Sequence, residues 1–366
     1  MGWPPDPRAV GAHVSTLDTP CLVLDLDAAE RNLDRMASLF KDSRVRVRPH
    51  TKTHKVPQLA LAQMERGAIG VCCAKLGEAE VMAAGGVPEI LLTTEVVGDH
   101  KIRRLLGVAQ QSHVTVVVDD AAAAERLADA ATQAGLTLDC LVDVNVGQNR
   151  TGTEPGEPAL ALAQRVERLA GLRLCGLQGY EGHLQHINDR DERRAANQRS
   201  MKLLSDTAEL LAEHGLSTDV VSTAGTGTGV FAAEWDRVTE IQPGSYVVMD
   251  SSYIAVEGLG FESALSVRAT ALSCRGQDVI VDAGYKCLTT DGGNPAPRGV
   301  DATYAPAGDE HGRVTFRSGA LPTRGDTLEL IPSHCDTTIN LYDVYYVTRG
   351  GYVVAVWPIA ARGRSQ

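Results

Sequence analysis

Short apolar runs alternate with amphipathic stretches eight times between residues 20 and 224, and no other feature limits the fold as strongly. The strand-like runs are residues 21–25 (CLVLD), 45–48 (VRVR), 68–73 (AIGVCC), 89–94 (EILLTT), 113–119 (HVTVVVD), 138–144 (LDCLVDV), 172–178 (LRLCGLQ) and 219–224 (DVVSTA). Between them lie segments such as AAERNLDRMASLF and PALALAQRVERLAG, with apolar residues recurring at three and four. Near-continuous apolar strands alternating with helices describe a parallel sheet covered by helices. An open doubly wound sheet satisfies the same alternation. Eight units within roughly 230 residues favour closure into a (β/α)8 TIM-type barrel, expected over residues 15–254.

The texture changes after about residue 245. Runs such as SALSVRATALS, DVIVDAG, DTLELI and YVVAVW are separated by glycine, proline and aspartate, and no long amphipathic helix follows. This predicts a C-terminal antiparallel β domain over residues 255–366. The formal net charge of −11 argues against a nucleic-acid or anionic-membrane footprint. No run reaches the ~18 apolar residues of a membrane span, and the N-terminus lacks the apolar core of a secretory signal. The eight cysteines sit mostly in apolar runs with no CxxC, so reduced, buried thiols in a cytoplasmic protein are expected.

A barrel of this kind places its active site at the C-terminal ends of its strands. RPHTKTHK (residues 48–55) follows the second run, with Lys52, Lys55, His50 and His54. NVGQNRTG, with Arg150, follows the sixth, and GYEGHLQH, with Tyr180, His183 and His186, follows the seventh. The glycine run GTGTG (residues 225–229) follows the eighth. Each has a plainer reading: solvated loop charges for the lysines, structural hydrogen bonds for the histidines, a surface ion pair for Arg150 and an ordinary turn for the glycines. A glycine-rich loop after the last strand is nevertheless where barrels bind phosphate through backbone N–H groups. With a lysine at the barrel mouth it would suit pyridoxal phosphate, whose aldehyde condenses with a lysine amine.

A second constellation lies in PSHCDTTINLYD (residues 332–343). In an extended segment His334 and Asp336 share one face and Cys335 points away. One imidazole and one carboxylate could hold a divalent cation, with water or substrate completing its shell. A core histidine beside a capping aspartate is the plainer alternative.

RPHTKTHK, DVNVGQNRTG, GLQGYEGHLQH, STAGTGTG, TEIQPGSYVVMD, DAGYK and PSHCDTTINLYD occur in the order seen in D-threonine aldolases and their relatives. The chain thus resembles the group that includes 3-hydroxy-D-aspartate aldolases and D-serine dehydratases, pyridoxal-phosphate enzymes of the alanine-racemase fold. The resemblance runs from about Thr19 to Gly363. It implies a barrel holding the cofactor, a β domain holding a metal, and a homodimer. It makes Lys52 the cofactor lysine and sets Arg150 beside the cofactor's phenolic oxygen and Tyr180 near its ring. It also makes His186 a catalytic base near the metal. Gly225, Thr226, Gly227, Gly244 and Ser245 match the phosphate-binding segments, and His334 and Asp336 match the metal ligands. One departure is AGTGTG, with alanine where the aldolases carry glycine.

The related dehydratases resemble histidine-x-cysteine at the metal motif. Here Asp336 stands at the ligand position and Cys335 one place early. A hard carboxylate suits Mn2+ or Mg2+, whereas thiolate would select Zn2+. The resemblance therefore implies a carbon–carbon lyase that cleaves D-threonine-like D-β-hydroxy-α-amino acids to glycine and an aldehyde. The alternatives are a 3-hydroxy-D-aspartate aldolase, a D-serine or D-3-hydroxyaspartate dehydratase, an amino-acid racemase using Tyr285 as a second base, and a cofactor carrier without turnover.

Overall fold

The computed structural model describes residues 9–366. The chain forms two compact units. One comprises the chain up to Arg35, Thr53–Val56 and Ser245–Gly363; the other comprises Met36–Lys52, Pro57–Gly244 and Arg364–Gln366.

The second of these is the barrel. Its eight strands are parallel and follow the order Arg46–Val47, Glu240–Ile241, Val220–Thr223, Leu172–Gly179, Leu138–Asp143, His113–Val118, Glu89–Leu92 and Val71–Cys73. The two end strands meet through backbone bonds: Cys72 donates to Pro49 O and Thr51 to Cys72 O, both at 2.8 Å, and Ile69 donates to Val47 O at 3.0 Å. The sheet therefore closes on itself. Helices follow the strands, among them Leu76–Ala84, Asp99–Ala109, Ala121–Gln133 and Glu157–Glu167. The Asp120 carboxylate caps Ala121–Gln133 by accepting from Ala123 N–H. Buried Cys72, Leu91, Val117 and Leu141, one from each of four consecutive strands, pack as a cluster.

Two expectations are corrected here. Cys21–Asp25, read as the first barrel strand, belongs to the other unit's sheet, where it pairs antiparallel with Leu265–Arg275 and parallel with Val344–Arg349. The eighth barrel strand is instead Glu240–Ile241, a two-residue element between Arg46–Val47 and Val220–Thr223. An apolar five-residue run reads the same in either sheet, so periodicity could not separate them.

The other unit is a nine-stranded sheet, antiparallel except at that one pairing. The expected antiparallel domain is thus a mixed one. Its short helices are Ser251–Ile254 and Cys335–Ile339. Met249, Tyr253, Val256 and Leu259 form an apolar cluster, with Phe261 packed against it. All eight cysteines are free thiols. No helix among the described residues is long and apolar enough to cross a membrane.

The Leu172–Gly179 strand passes so close to its neighbour that a Cβ at Gly176, at φ +145°, would lie 1.9 Å from Val220 O. Gly176→Ala should destabilise the chain by about 3 kcal/mol or more. Gly135→Ala, at φ +69° with open space around it, should cost only about 1–2 kcal/mol. Chemical denaturation of the two variants checks the difference.

Candidate active site

The residues predicted to carry chemistry in the barrel gather on the loops that leave the strands' C-terminal ends. Lys52, half-buried, stands one residue past the closing bond from Thr51 to Cys72. Its backbone N–H points to His50 Nδ1 at 3.4 Å. His50 Nε2 faces Thr93 Oγ1 at 3.2 Å, and that hydroxyl donates to Cys73 O. These directions leave the His50 proton on Nε2. The main chain leading to Lys52 is thereby held both by sheet closure and by a buried imidazole.

Beneath this mouth the barrel interior carries a polar chain. Gln178 donates to Asp143 Oδ1 at 2.9 Å and accepts from Gln242 Nε2 at 3.1 Å, and Gln242 also donates to Ser222 Oγ at 2.8 Å. Asp143, at the end of Leu138–Asp143, also accepts from Thr151 at 3.1 Å. Burial pushes its carboxyl up, against the hydrogen bonds from Gln178, Glu95 and Thr151. Burial, followed by the charges of Asp143 and Asp119, raises Glu95 to about 7.

Asp143, Arg150, Thr151 and Tyr180 line one small pocket, with Val144, Asn145, Val146 and Gln148. The exposed Arg150 guanidinium lies over the Tyr180 ring, 5.7 Å from its centre. The Asn145 side chain orders the Arg150 loop by accepting from Gly147 and Asn149 N–H at 3.1 and 3.0 Å. His183 and His186 are both exposed on the loop after Leu172–Gly179.

The glycine turn, residues 225–228, is buried throughout. Gly227 N–H is donated to Gln185 Oε1 at 2.8 Å and Gly225 N–H to Thr228 Oγ1 at 3.3 Å. A Cβ at Gly225 would lie 2.6 Å from Gln185 Oε1, and one at Gly227 would lie 2.5 Å from Gln185 O. Both glycines are therefore required by the close approach of Gln185, with Thr226 at the crest between them. Gly244 ends the barrel unit's Pro57–Gly244 segment, and Ser245 begins the other unit's Ser245–Gly363 segment with the short helical turn Ser245–Val247. A primary amine, a guanidinium on a phenol ring and a small-residue turn form a donor set that fits pyridoxal phosphate.

In the other unit the premise of an extended metal motif is corrected. Cys335–Ile339 is helical and His334, in an extended conformation, is its N-cap. His334 Nε2 and Asp336 Oδ2 still face each other, at 4.0 Å, while the Cys335 thiol is buried and donates to Met249 O. A separation of 4.0 Å is too long for a hydrogen bond. His334 Nδ1 donates to Asp291 Oδ2 at 2.5 Å, and Asp291 Oδ1 accepts from Thr337 at 2.9 Å. Burial alone would raise Asp291; the His334 and Thr337 bonds outweigh it and hold the carboxyl below its usual range. A carboxylate on the far nitrogen is how a metal-ligating histidine is oriented, and the nitrogen–oxygen pair suits a hard divalent ion. Among the described residues no three or more His, Cys, Asp or Glu side chains surround one ion position, so water or substrate would complete such a shell.

Sequence reasoning did not find Glu95, Asp143, Glu181, Gln185 or Asp291. Glu181 sat in a motif already singled out, between Tyr180 and the histidines. Asp291 lies 43 residues from His334 and carried no local signal.

Residues 24–252 match the alanine racemase N-terminal domain family and residues 264–348 match the serine dehydratase domain. A D-threonine aldolase of Arthrobacter is 41% identical, over 99% of this chain and 97% of its own. A 3-hydroxy-D-aspartate aldolase of Paracoccus denitrificans is 36% identical, over 98% and 95%. The crystal structure of D-threonine aldolase from Filomicrobium marinum superposes with a TM-score of 0.94 at 41% identity, covering 97% of this chain and 98% of that one.

Because the Glu95 carboxyl sits above its ordinary value of 4.5, the folded state takes up its proton more readily than the unfolded chain. The stability it contributes is present below that value and is lost as pH rises towards about 7. Glu95→Gln should therefore melt above the wild type at pH 8 and converge with it near pH 5.

Proposed function

Since the chain belongs to the alanine racemase N-terminal domain family, in the company of D-threonine aldolases, we propose that it is a pyridoxal-phosphate- and metal-dependent aldolase of D-β-hydroxy-α-amino acids. The observation that carries this reading is full-length similarity to two aldolases, together with an aspartate, Asp336, facing His334. The reaction breaks the Cα–Cβ bond of the substrate, the hydroxyl loses its proton, Cα gains one, and glycine and an aldehyde are released.

Pyridoxal phosphate, when bound, supplies an aldehyde for amine condensation and a ring that accepts an electron pair. Lys52 holds it covalently. Arg150 stabilises negative charge beside the Tyr180 ring. The Gly225–Thr226–Gly227 turn, with Gly244 and Ser245, holds its phosphate. His334 and Asp336 would hold a divalent cation, Mn2+ or Mg2+ on the hardness of the carboxylate, and such an ion would supply Lewis acidity. His186, an exposed imidazole, takes the hydroxyl proton. The dehydratase alternative would expel that hydroxyl and release ammonia with a keto acid. A homodimer and a cytoplasmic location complete this reading.

Product analysis with pyridoxal phosphate, manganese and D-threonine or 3-hydroxy-D-aspartate tests the reading. Glycine plus aldehyde, lost on chelation, is expected; ammonia plus keto acid would overturn it in favour of dehydration. Lys52→Ala should remove the protein-bound cofactor absorbance. His334→Ala and Asp336→Ala should keep that absorbance and lose turnover. Asp291→Asn should weaken manganese affinity about 10–100-fold, read by direct titration of the ion.

A further inference from the structure

Glu181 is fully buried two residues past the end of the Leu172–Gly179 strand, and three donors converge on its carboxylate. Oε1 accepts from Thr228 Oγ1 at 2.5 Å and from Asn197 Nδ2 at 3.2 Å; Oε2 accepts from Ala224 N–H at 3.1 Å. Two of these donors bracket the glycine turn. Ala224 is also held at φ +61° without being glycine, a conformation that costs about 1–2 kcal/mol.

Burial pushes the Glu181 carboxyl up, against its hydrogen bonds from Thr228, Ala224 and Asn197. Glu181 is the acceptor at all three contacts, and that polarity propagates. The Thr228 hydroxyl must give its proton to Glu181, so its lone pairs face Gly225 N–H and Gln185 Nε2, the latter at 2.8 Å. With its amide nitrogen turned to Thr228, Gln185 presents Oε1 to Gly227 N–H. The side-chain directions at Thr228 and Gln185 thus run from Glu181 as acceptor to the Gly225 and Gly227 N–H groups, which can only donate. Asn197 agrees: its Nδ2 goes to Glu181 although Oδ1 is left buried without a hydrogen-bond partner among the described residues. From the other side Arg193, also buried, donates to Gly227 O at 2.9 Å.

We propose that Glu181 is the positioning residue of the cofactor-phosphate turn, fixing through Thr228 and Gln185 which backbone groups face inward and which crest faces the phosphate. This deepens the function proposed above and rests on its reading of residues 225–228 as a phosphate cradle. Glu181 does not touch the cofactor; it acts through the turn. An amide at this position would oppose a donor with a donor at one of the three contacts, in a fully buried site. The loss should appear in binding of the phosphate and not of the pyridine ring.

The test compares pyridoxal 5′-phosphate with pyridoxal, which lacks only the phosphate. Dissociation constants are measured by absorbance on full-length chain freed of cofactor. Glu181→Gln should lose about tenfold or more in affinity for the phosphorylated form while its affinity for pyridoxal stays near wild type. Thr228→Val should reproduce the loss, Thr228→Ser should restore the preference, and the double variant Glu181→Gln/Thr228→Val should be no worse than either single one. If Glu181→Gln fails to fold, the Thr228 pair carries the test. Parallel loss of both affinities would reduce Glu181 to a structural role and overturn the inference, as would no change in either. A wild-type chain with no preference for the phosphorylated form would overturn the phosphate reading of the turn itself, a result distinguishable from failure of the Glu181 role alone.

Discussion

The barrel closes through a few backbone bonds between residues 47–51 and 69–72, and the chemistry proposed for the chain begins at the next residue. Thr51 N–H reaches Cys72 O, and the chain then turns to present Lys52. A lysine on a free loop would sample many positions. Here the residue before it belongs to a sheet with no open edge, so its backbone is fixed by the same bonds that remove the edges. The short closing strand also explains Arg48 and Glu240. They form a bidentate pair across the Arg46–Val47 and Glu240–Ile241 ladder, with Nε–Oε1 and Nη2–Oε2 both at 3.0 Å. Two residues of pairing are few, and a buried, charge-assisted fork in the same place adds direction to them.

A second constraint follows from filling a closed barrel with polar side chains. Gln178, Gln242, Ser222, Asp143, His50 and Thr93 occupy an interior that an unspecialised barrel would fill with branched apolar residues. Burying them is tolerable because each has a partner in the chain from Ser222 to Asp143 or in the His50–Thr93 pair. The exception is at the mouth, where Glu95 meets Asp143 and Asp119, one carboxyl is raised to about 7, and Glu95 Oε1 is buried without a hydrogen-bond partner among the described residues. Stability and polarity are in conflict there, which is the expected place for a site rather than for a core.

Alternation made the barrel legible, and the strand-end positions of Lys52, Arg150, Tyr180 and the glycine turn were legible with it, because both follow from local pattern. What escaped did so for nameable reasons. Cys21–Asp25 has the apolar texture of a parallel strand, yet it pairs with Leu265–Arg275, more than two hundred residues away. Glu240–Ile241 is too short to show a period and carries a charge that reads as solvent-facing. Glu181 went unremarked because a glutamate beside histidines and tyrosine looks like one more polar loop residue. Only its burial, with Thr228, Asn197 and Ala224 converging on it, separates it from them.

The His334–Asp336 pairing shows how a correct pairing can rest on a different geometry. Alternation along a strand is one way to bring residues i and i+2 to the same side. A helix start is another: the cap residue is still extended while the first turn has begun to coil, and His334 and Asp336 straddle that change. This arrangement has a structural reason independent of any metal. Asp336 lies in the first turn, where negative charge is favourable. The Cys335 N–H, one of the free donors of the first turn, is taken by Asp250 Oδ2 at 3.0 Å, and His334 makes no side-chain cap bond. Freed from capping, the imidazole turns one nitrogen to Asp291 and the other towards Asp336. Placing the Cys335 N–H on Asp250 and the orientation on Asp291 is what leaves a nitrogen and an oxygen facing each other, and that opposition is the part of the motif a cation can use.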